Sequence, residues 1–392
     1  MAVPGTAAPT ADSPVRWRQV RRELNQHRHH LASIADGLYP GVCRVGNSPL
    51  LCRPEWLPAR PVPLDQLALT WTEHPPLSAV DGTEQITAHL RPIAANGQRY
   101  RSYADALAAI DPPKTFENRQ AYRLVAADLT SARGPGLLEL SAGRYFDGVN
   151  TTEAVSHELA QVWRENPGPI RMDRLPYREA IGDPCGLSRR PAGVAVATLT
   201  IRRPTRKVAS FLLHWRDPER VAHGGGLYQV IPVGIFQPAD HNPASVRNDL
   251  SLWRCMAREF SEELLGTSEE YADLGSPMDY HRWPFYRDLC AARDAGLLRV
   301  FCLGLGVDAL TLAIDILTVA VFDGDTFDGL FDGLVTVNAE GRVLSSPGDT
   351  IMPGMPFTSD TIGRFTSGRE PIQPVGAAML ELGWNYRETL LG

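Results

Sequence analysis

The chain is poor in the features that would assign it to several large classes of protein. Its 392 residues contain no apolar run long enough to cross a bilayer, and no charged-then-apolar signal segment opens the chain. Six cysteines (Cys43, Cys52, Cys185, Cys255, Cys290, Cys302) are scattered without a single CxxC pair, which speaks against a zinc ribbon or a thioredoxin-like redox motif. Cys255 and Cys302 stand among apolar neighbours, so reduced, buried thiols are expected there. The net charge of −6 is mild and gives no bulk electrostatic sign of nucleic-acid binding. A cytoplasmic protein is the default expectation. Length and apolar content allow one large core or two modest ones.

What is present divides into three stretches. Residues 1–76 comprise an Ala/Pro/Thr-rich leader, a basic helix and a proline-dense arm. In the helix, over 15–38, Trp17, Val20, Leu24, Leu31, Ile34 and Leu38 recur at helical spacing. Its other faces carry arginines and the run His27, His29, His30. Without a helix-turn-helix partner, a basic face docked on an acidic body is the preferred reading over nucleic-acid contact. The arm, 40–76, holds eight prolines and cannot continue a helix or a central strand; Trp56 and Trp71 would anchor it to a neighbour. Residues 77–190 read as a mixed α/β region, with a helix at Tyr103–Ile110, strands at Ala121–Leu129 and Gly136–Leu140, and a helix at Thr151–Glu165 capped by Asn150 with Glu153. His157-Glu158 suggests HExxH, but Gln161 stands where the second histidine is needed. Arginines at 171, 174, 178, 189 and 190 could clamp phosphates or could be ordinary loop cations; both readings stay open.

Residues 191–392 have the rhythm of a mixed α/β sandwich. Strands are expected at Val194–Arg202, Val208–Trp215, Leu227–Phe236, Leu298–Leu305 and Ile314–Phe322. A closing helix is expected from Pro374 to Leu391. Gly224-Gly225-Gly226 lacks a following Lys-Ser/Thr and is no P-loop. Between the strands lies Arg258-Glu259-Phe260-Ser261-Glu262-Glu263-Leu264-Leu265-Gly266, on a helix near 249–265 that Asn248 or Asp249 could cap. At roughly 100° per residue the three glutamates fall within about a 100° arc, opposite an apolar stripe of Trp253, Ala257, Phe260 and Leu264. Such a face can offer oxygen ligands to a hard divalent cation, or can be a solvated acidic face with Arg258 paired to Glu262.

This string resembles the second half of the Nudix box, Arg-Glu-apolar-x-Glu-Glu. The first half departs from that pattern: Leu250 stands at its glutamate and Ala244 at its glycine, and Gly266 falls one position late. Pro232-Val233-Gly234 resembles the strand-end glycine before the Nudix loop, and the loop that follows, Gln237 to Pro243, is longer and richer in proline. Its backbone N–H groups are expected to meet a diphosphate. The stretches Phe116–Arg119, Tyr145–Asp147 and Phe236-Gln237-Pro238 also make the chain similar to a group of actinobacterial proteins sometimes described as regulators.

The Nudix resemblance implies a Nudix-like α/β (α+β) mixed-sheet sandwich in the C-terminal half. It implies Mg²⁺ (or Mn²⁺) held by Glu259, Glu262 and Glu263, with Arg258 orienting the glutamates. The expected function is hydrolysis of a nucleoside diphosphate-linked small molecule, with Glu262, Glu263 and Arg258 as catalytic residues and Arg178, Arg189, Arg190 and Gln237 facing substrate. Glu269, Glu270 and Asp308 are candidates for an additional base; His214, His223 and His241 are further base or ligand candidates or structural residues. The alternative is a module that senses a nucleotide or sugar nucleotide without cleaving it. Non-hydrolytic chemistry at the same metal site is a third reading. The expected partner is a nucleotide-type small molecule, no membrane is expected, nucleic acid is disfavoured, and a homodimer stays open.

Overall fold

The computed structural model describes residues 12–113, 116–130, 136–205, 208–216, 226–267, 276–335, 341–343 and 354–392, and over these the chain is a mixed α/β protein. Its largest sheet grows from two long strands, Leu298–Asp308 and Ile314–Asp323, paired antiparallel. Almost every residue of both is buried, so they read as continuous apolar runs and not as alternating ones. Val194–Arg203 lies parallel to the second of them. Short strands at Ser210–Phe211, Met355–Pro356 and Val233–Ile235 complete that side.

The proline-dense arm completes the other side. Cys43–Arg44, Leu50–Cys52 and Val62–Pro63 add edge strands to Leu298–Asp308 or to one another. Two or three residues is about the strand length that such spacing of prolines permits. The approach is close: a Cβ on Gly306 would fall 2.1 Å from Leu50 Cδ2. Trp56 is buried, as expected of an anchor, and Trp71 packs edge-on to Tyr122 beneath the guanidinium of Arg247. The arm's last strand, Leu67–Trp71, instead joins a second sheet with Gly136–Arg144 and Gln120–Asp128. A small third sheet contains Leu213–Arg216, Tyr228–Val230 and Gly341–Val343.

Five expected elements are divided or extended. The run Val208–Trp215 breaks at Leu212, whose N–H bonds to the Thr200 carbonyl, and its two parts enter different sheets. Leu227–Phe236 breaks at Ile231-Pro232, where proline has no N–H for a ladder. The helix expected over 15–38 is two, Asp12–Gln26 and Arg28–Gly37, and the break at His27 lets Arg21 and Arg28 converge on Glu153. The helix expected from Thr151 begins at Tyr145, because the Asp147 carboxylate accepts the Arg144 N–H at 2.9 Å. Asn150, the expected cap, lies inside the helix and accepts the N–H of Ala104. The closing helix is likewise two segments, Pro374–Asn385 and Arg387–Leu391. Among the described residues no helix is long and apolar enough to cross a membrane.

Candidate functional site

The acidic helix runs from Leu252 to Leu265 and owes its start to Ser251, whose hydroxyl accepts the Arg254 N–H. Neither Asn248 nor Asp249 caps it. The Asp249 carboxylate is buried and accepts the Ala239 N–H at 2.7 Å, which ties down the preceding loop. At the other end Gly266 takes the left-handed conformation (φ 67°), and the N–H groups of Gly266 and Thr267 return to the carbonyls of Glu262 and Ser261. Trp253, Ala257, Phe260 and Leu264 are buried, with Phe260 against the rings of Phe322 and Phe331. Burial of such side chains stabilises by about 1.5–3 kcal/mol each and sets the rotation of the helix, turning the glutamates the other way.

They turn toward a cavity of about 640 Å³ lined by Glu259, Glu262 and Glu263. The edge strand Val233–Ile235 and Gln237 line it beside them. Gly234 makes room for this arrangement. A Cβ there would lie 1.9 Å from the carboxyl carbon of Glu259, so a larger residue would push that carboxylate aside. One turn on, the Glu263 carboxylate accepts the Val233 N–H at 2.7 Å. Arg258 is 4% exposed and donates to the Tyr280 hydroxyl and, at 2.6 Å, to the Gln237 carbonyl; Asp249 lies 4.0 Å away. Burial works against its charge, but Tyr280, Cys255 and Asp249 hold it above the ordinary arginine value. These bonds make Arg258 a clamp between the acidic helix and the loop.

The loop itself has little to offer an anion. The N–H groups of Ala239, Asn242 and Ala244 are taken by the side chains of Asp249, Asp240 and Asn242, and that of Ser245 by the Asn242 carbonyl. The expected backbone cradle for a diphosphate is therefore largely spent on the loop's own turns.

The far walls come from other parts of the chain. Arg28, Glu117, Arg119, Tyr145 and Glu153 approach from the N-terminal half, and Asp308, Thr311 and Asp315 from the two long strands and their turn. Arg119 reaches the Ala239 carbonyl, and the rings of Tyr122 and Phe236 meet at 4.4 Å, so the halves are joined beside the cavity. Glu153 accepts from Arg21 at 2.9 Å and from Arg28 at 3.4 Å. Asp308 holds its turn by accepting from the N–H groups of Leu310 and Thr311. Asp315 is 8% exposed; burial, helped by the charge of Asp308, pushes its carboxyl up to about 7.

The sequence candidates are thus sorted by position. Glu259, Glu262, Glu263, Gln237 and Asp308 line one cavity. Arg178, Arg189 and Arg190 do not line it. Arg178 is fully buried and donates to the carbonyls of Ala309 and Leu310; Arg190 donates to those of Pro184 and Leu312. Burial lowers Arg190 to about 10. Arg189 binds the carbonyls of Ala180 and Ile181. Two of these arginines therefore brace the 308–313 turn from behind, including Leu312 with its left-handed φ of 59°. Glu269, Glu270 and His223 lie outside the described residues. His214 is buried in the third sheet, and exposed His241 sits 3.7 Å from Glu117. His157 and Glu158 are absorbed by the fold: His157 bonds to Tyr103, and Glu158 accepts the N–H groups of Tyr177 and Arg178. Sequence reasoning missed Asp315, although a carboxylate interrupting the apolar run Ile314–Phe322 is a signal that could have marked it.

Comparison with known proteins adds little. Neither a family model nor a curated protein sequence matches the chain. The crystal structure of a NUDIX hydrolase from Alicyclobacillus acidocaldarius is similar at a TM-score of 0.26 and 18% identity, over 48% of this chain and 90% of that one. A likeness so slight carries no argument about the site. The fold is that of a mixed α/β protein whose acidic helix faces a cavity built from both halves of the chain.

Proposed function

We propose that the chain is a Nudix-like hydrolase that uses Mg²⁺ or Mn²⁺ to cleave a nucleoside diphosphate-linked small molecule. The observation that carries this reading is the seating of Glu259 on Gly234, which joins the two motif fragments in one cavity wall. Among the described residues no group of three or more His, Cys, Asp or Glu side chains is drawn together as a cation cage. Mg²⁺ does not require one, since it keeps several waters and is bound through one or two carboxylates plus substrate phosphates. The donor set suits it: hard oxygens on one helix face, with Glu259 given room by a missing Cβ. Glu259, Glu262 and Glu263 would hold the ion, which when bound neutralises diphosphate charge and lowers the pKa of a coordinated water.

The chain's own groups supply the positioning. Arg258 fixes the helix against the loop, and the Val233 N–H orients Glu263. Asp308 is the sequence candidate for an additional base that lines the cavity. The six free cysteines suit a reducing, cytoplasmic setting. The test is turnover of nucleoside diphosphate-linked compounds with Mg²⁺ by wild type and Glu262→Gln. Undiminished turnover in the variant sinks the assignment.

A second reading is a sensor that binds a nucleotide or sugar nucleotide without cleaving it. The loop favours this reading, because its N–H groups are already engaged. Melting-temperature shifts with nucleotides, with and without Mg²⁺, followed by product analysis, separate the two. Stabilisation without product supports sensing.

A further inference from the structure

Of the cavity wall formed by Asp308, Thr311 and Asp315, the reading above uses Asp308 alone, as a candidate base; Asp315 has no role in it. Asp315 lies in register with Ala195 on the neighbouring strand, which is in register with Ile235. All three line the cavity, whereas Ile314 and Ile316 on either side of Asp315 are fully buried. Strand alternation therefore presents the Asp315 side chain to the cavity. Only 8% of the residue is exposed, and among the described residues its carboxylate has neither a hydrogen-bond nor an ion-pair partner.

Leaving such a group unmatched is costly, and buried carboxylates are ordinarily paired or hydrogen-bonded. The cations around this turn and cavity are used elsewhere. Arg178 and Arg190, behind the same turn, are bound to backbone carbonyls, and Arg28 is bound to Glu153. Among the described residues the cavity carries seven carboxylates against three guanidinium groups and no lysine. The acidic helix accounts for three of the seven.

We propose that this wall is a subsite for an ammonium group on the ligand, received between Asp315 and Asp308. A pair of neutral hydroxyls would satisfy the oxygen atoms but leave the charge on a desolvated wall. An ammonium satisfies both, with three donors for carboxylate and threonine acceptors. The elevated carboxyl of Asp315 is consistent with a wall that lacks its counter-charge.

The test reads binding alone, without metal or turnover, so its outcome is separate from that of the hydrolase reading. Metal-free protein at pH 8 is titrated by calorimetry with glucosamine, ethanolamine and putrescine, each against a neutral counterpart: glucose, ethylene glycol and 1,4-butanediol. At least one ammonium compound is expected to bind about ten-fold or more tightly than its counterpart. Asp315→Asn should remove that preference, and Glu262→Gln should keep it. Thermal melts confirm that each variant is folded, and Asp308→Asn serves as a second variant on the same wall. The proposal is overturned if no ammonium compound outbinds its counterpart, if Asp315→Asn binds as wild type does, or if Glu262→Gln loses binding equally. It is also overturned if Asp315→Asn binds one Mn²⁺ fewer by electron paramagnetic resonance.

Discussion

Two helices in this protein carry charged groups on faces turned toward other parts of the fold, and they use them in opposite ways. In Tyr145–Glu165 the fold provides an internal partner for each. Glu153 takes Arg21 and Arg28, His157 takes the Tyr103 hydroxyl, and Glu158 receives two N–H groups at the start of the short helix Pro176–Ile181. Burial and the charge of Arg21 hold His157 neutral, down to about 3. In Leu252–Leu265 the glutamates line a cavity. Both segments contain motif-like strings, so the string is a poor guide to role. What separates them is burial: the fold closes over Glu153, His157 and Glu158, whereas the three glutamates stay partly exposed on the cavity wall.

The contrast can be broken at either helix. The largest effect is expected from Glu153→Ala, which removes the carboxylate shared by two buried guanidinium groups. Loss of such a partner costs about 3–5 kcal/mol, measurable by urea unfolding, and an unchanged midpoint would show the network to be dispensable. Next comes the pH dependence set by Asp315. The folded protein keeps this proton up to about pH 7, whereas the unfolded chain releases it near the ordinary value of 3.8. Stability should therefore fall as pH rises between those values, by roughly 4 kcal/mol in all, and Asp315→Asn should flatten the profile and be more stable at pH 8.

Glu262→Gln should reduce Mg²⁺-dependent turnover on the order of 100-fold with little change in melting temperature. That combination is the signature of a cavity-facing carboxylate and the reverse of the pattern expected at Glu153. The smallest effect is expected from Gly234→Ala. Its Cβ would displace Glu259, weakening Mg²⁺ binding about ten-fold and destabilising the fold by about 1–3 kcal/mol. Both can be read from Mg²⁺ titrations followed by thermal melts.

Much of the acidic helix was legible because local patterns specify it. The stripe Trp253–Leu264 gives its buried face, and Gly266 its end. The two long strands were legible for the same reason, as apolar runs broken by a charged residue only at Arg299 and Asp315 before their ends. Caps were less so: Asp249 looks like a cap, but the loop N–H of Ala239 competes for it, and Ser251 takes the role. The arginines at 178, 189 and 190 look alike in sequence and like phosphate clamps. Their bonds run to carbonyls in turns that only the folded chain brings near, from Ala180 to Leu312.

By itself, then, the amino-acid sequence determined most of the periodic elements and the carboxylate face of one helix. These follow from near-neighbour geometry. The tertiary structure alone decided which charged groups are consumed and which face a space. It split the basic helix so that Arg21 and Arg28 reach Glu153, drew the proline arm in as edge strands, and set Asp315 in a wall with Asp308. Those outcomes depend on contacts between residues far apart in the chain. A carboxylate's role follows from its partner, and the partner is chosen by packing.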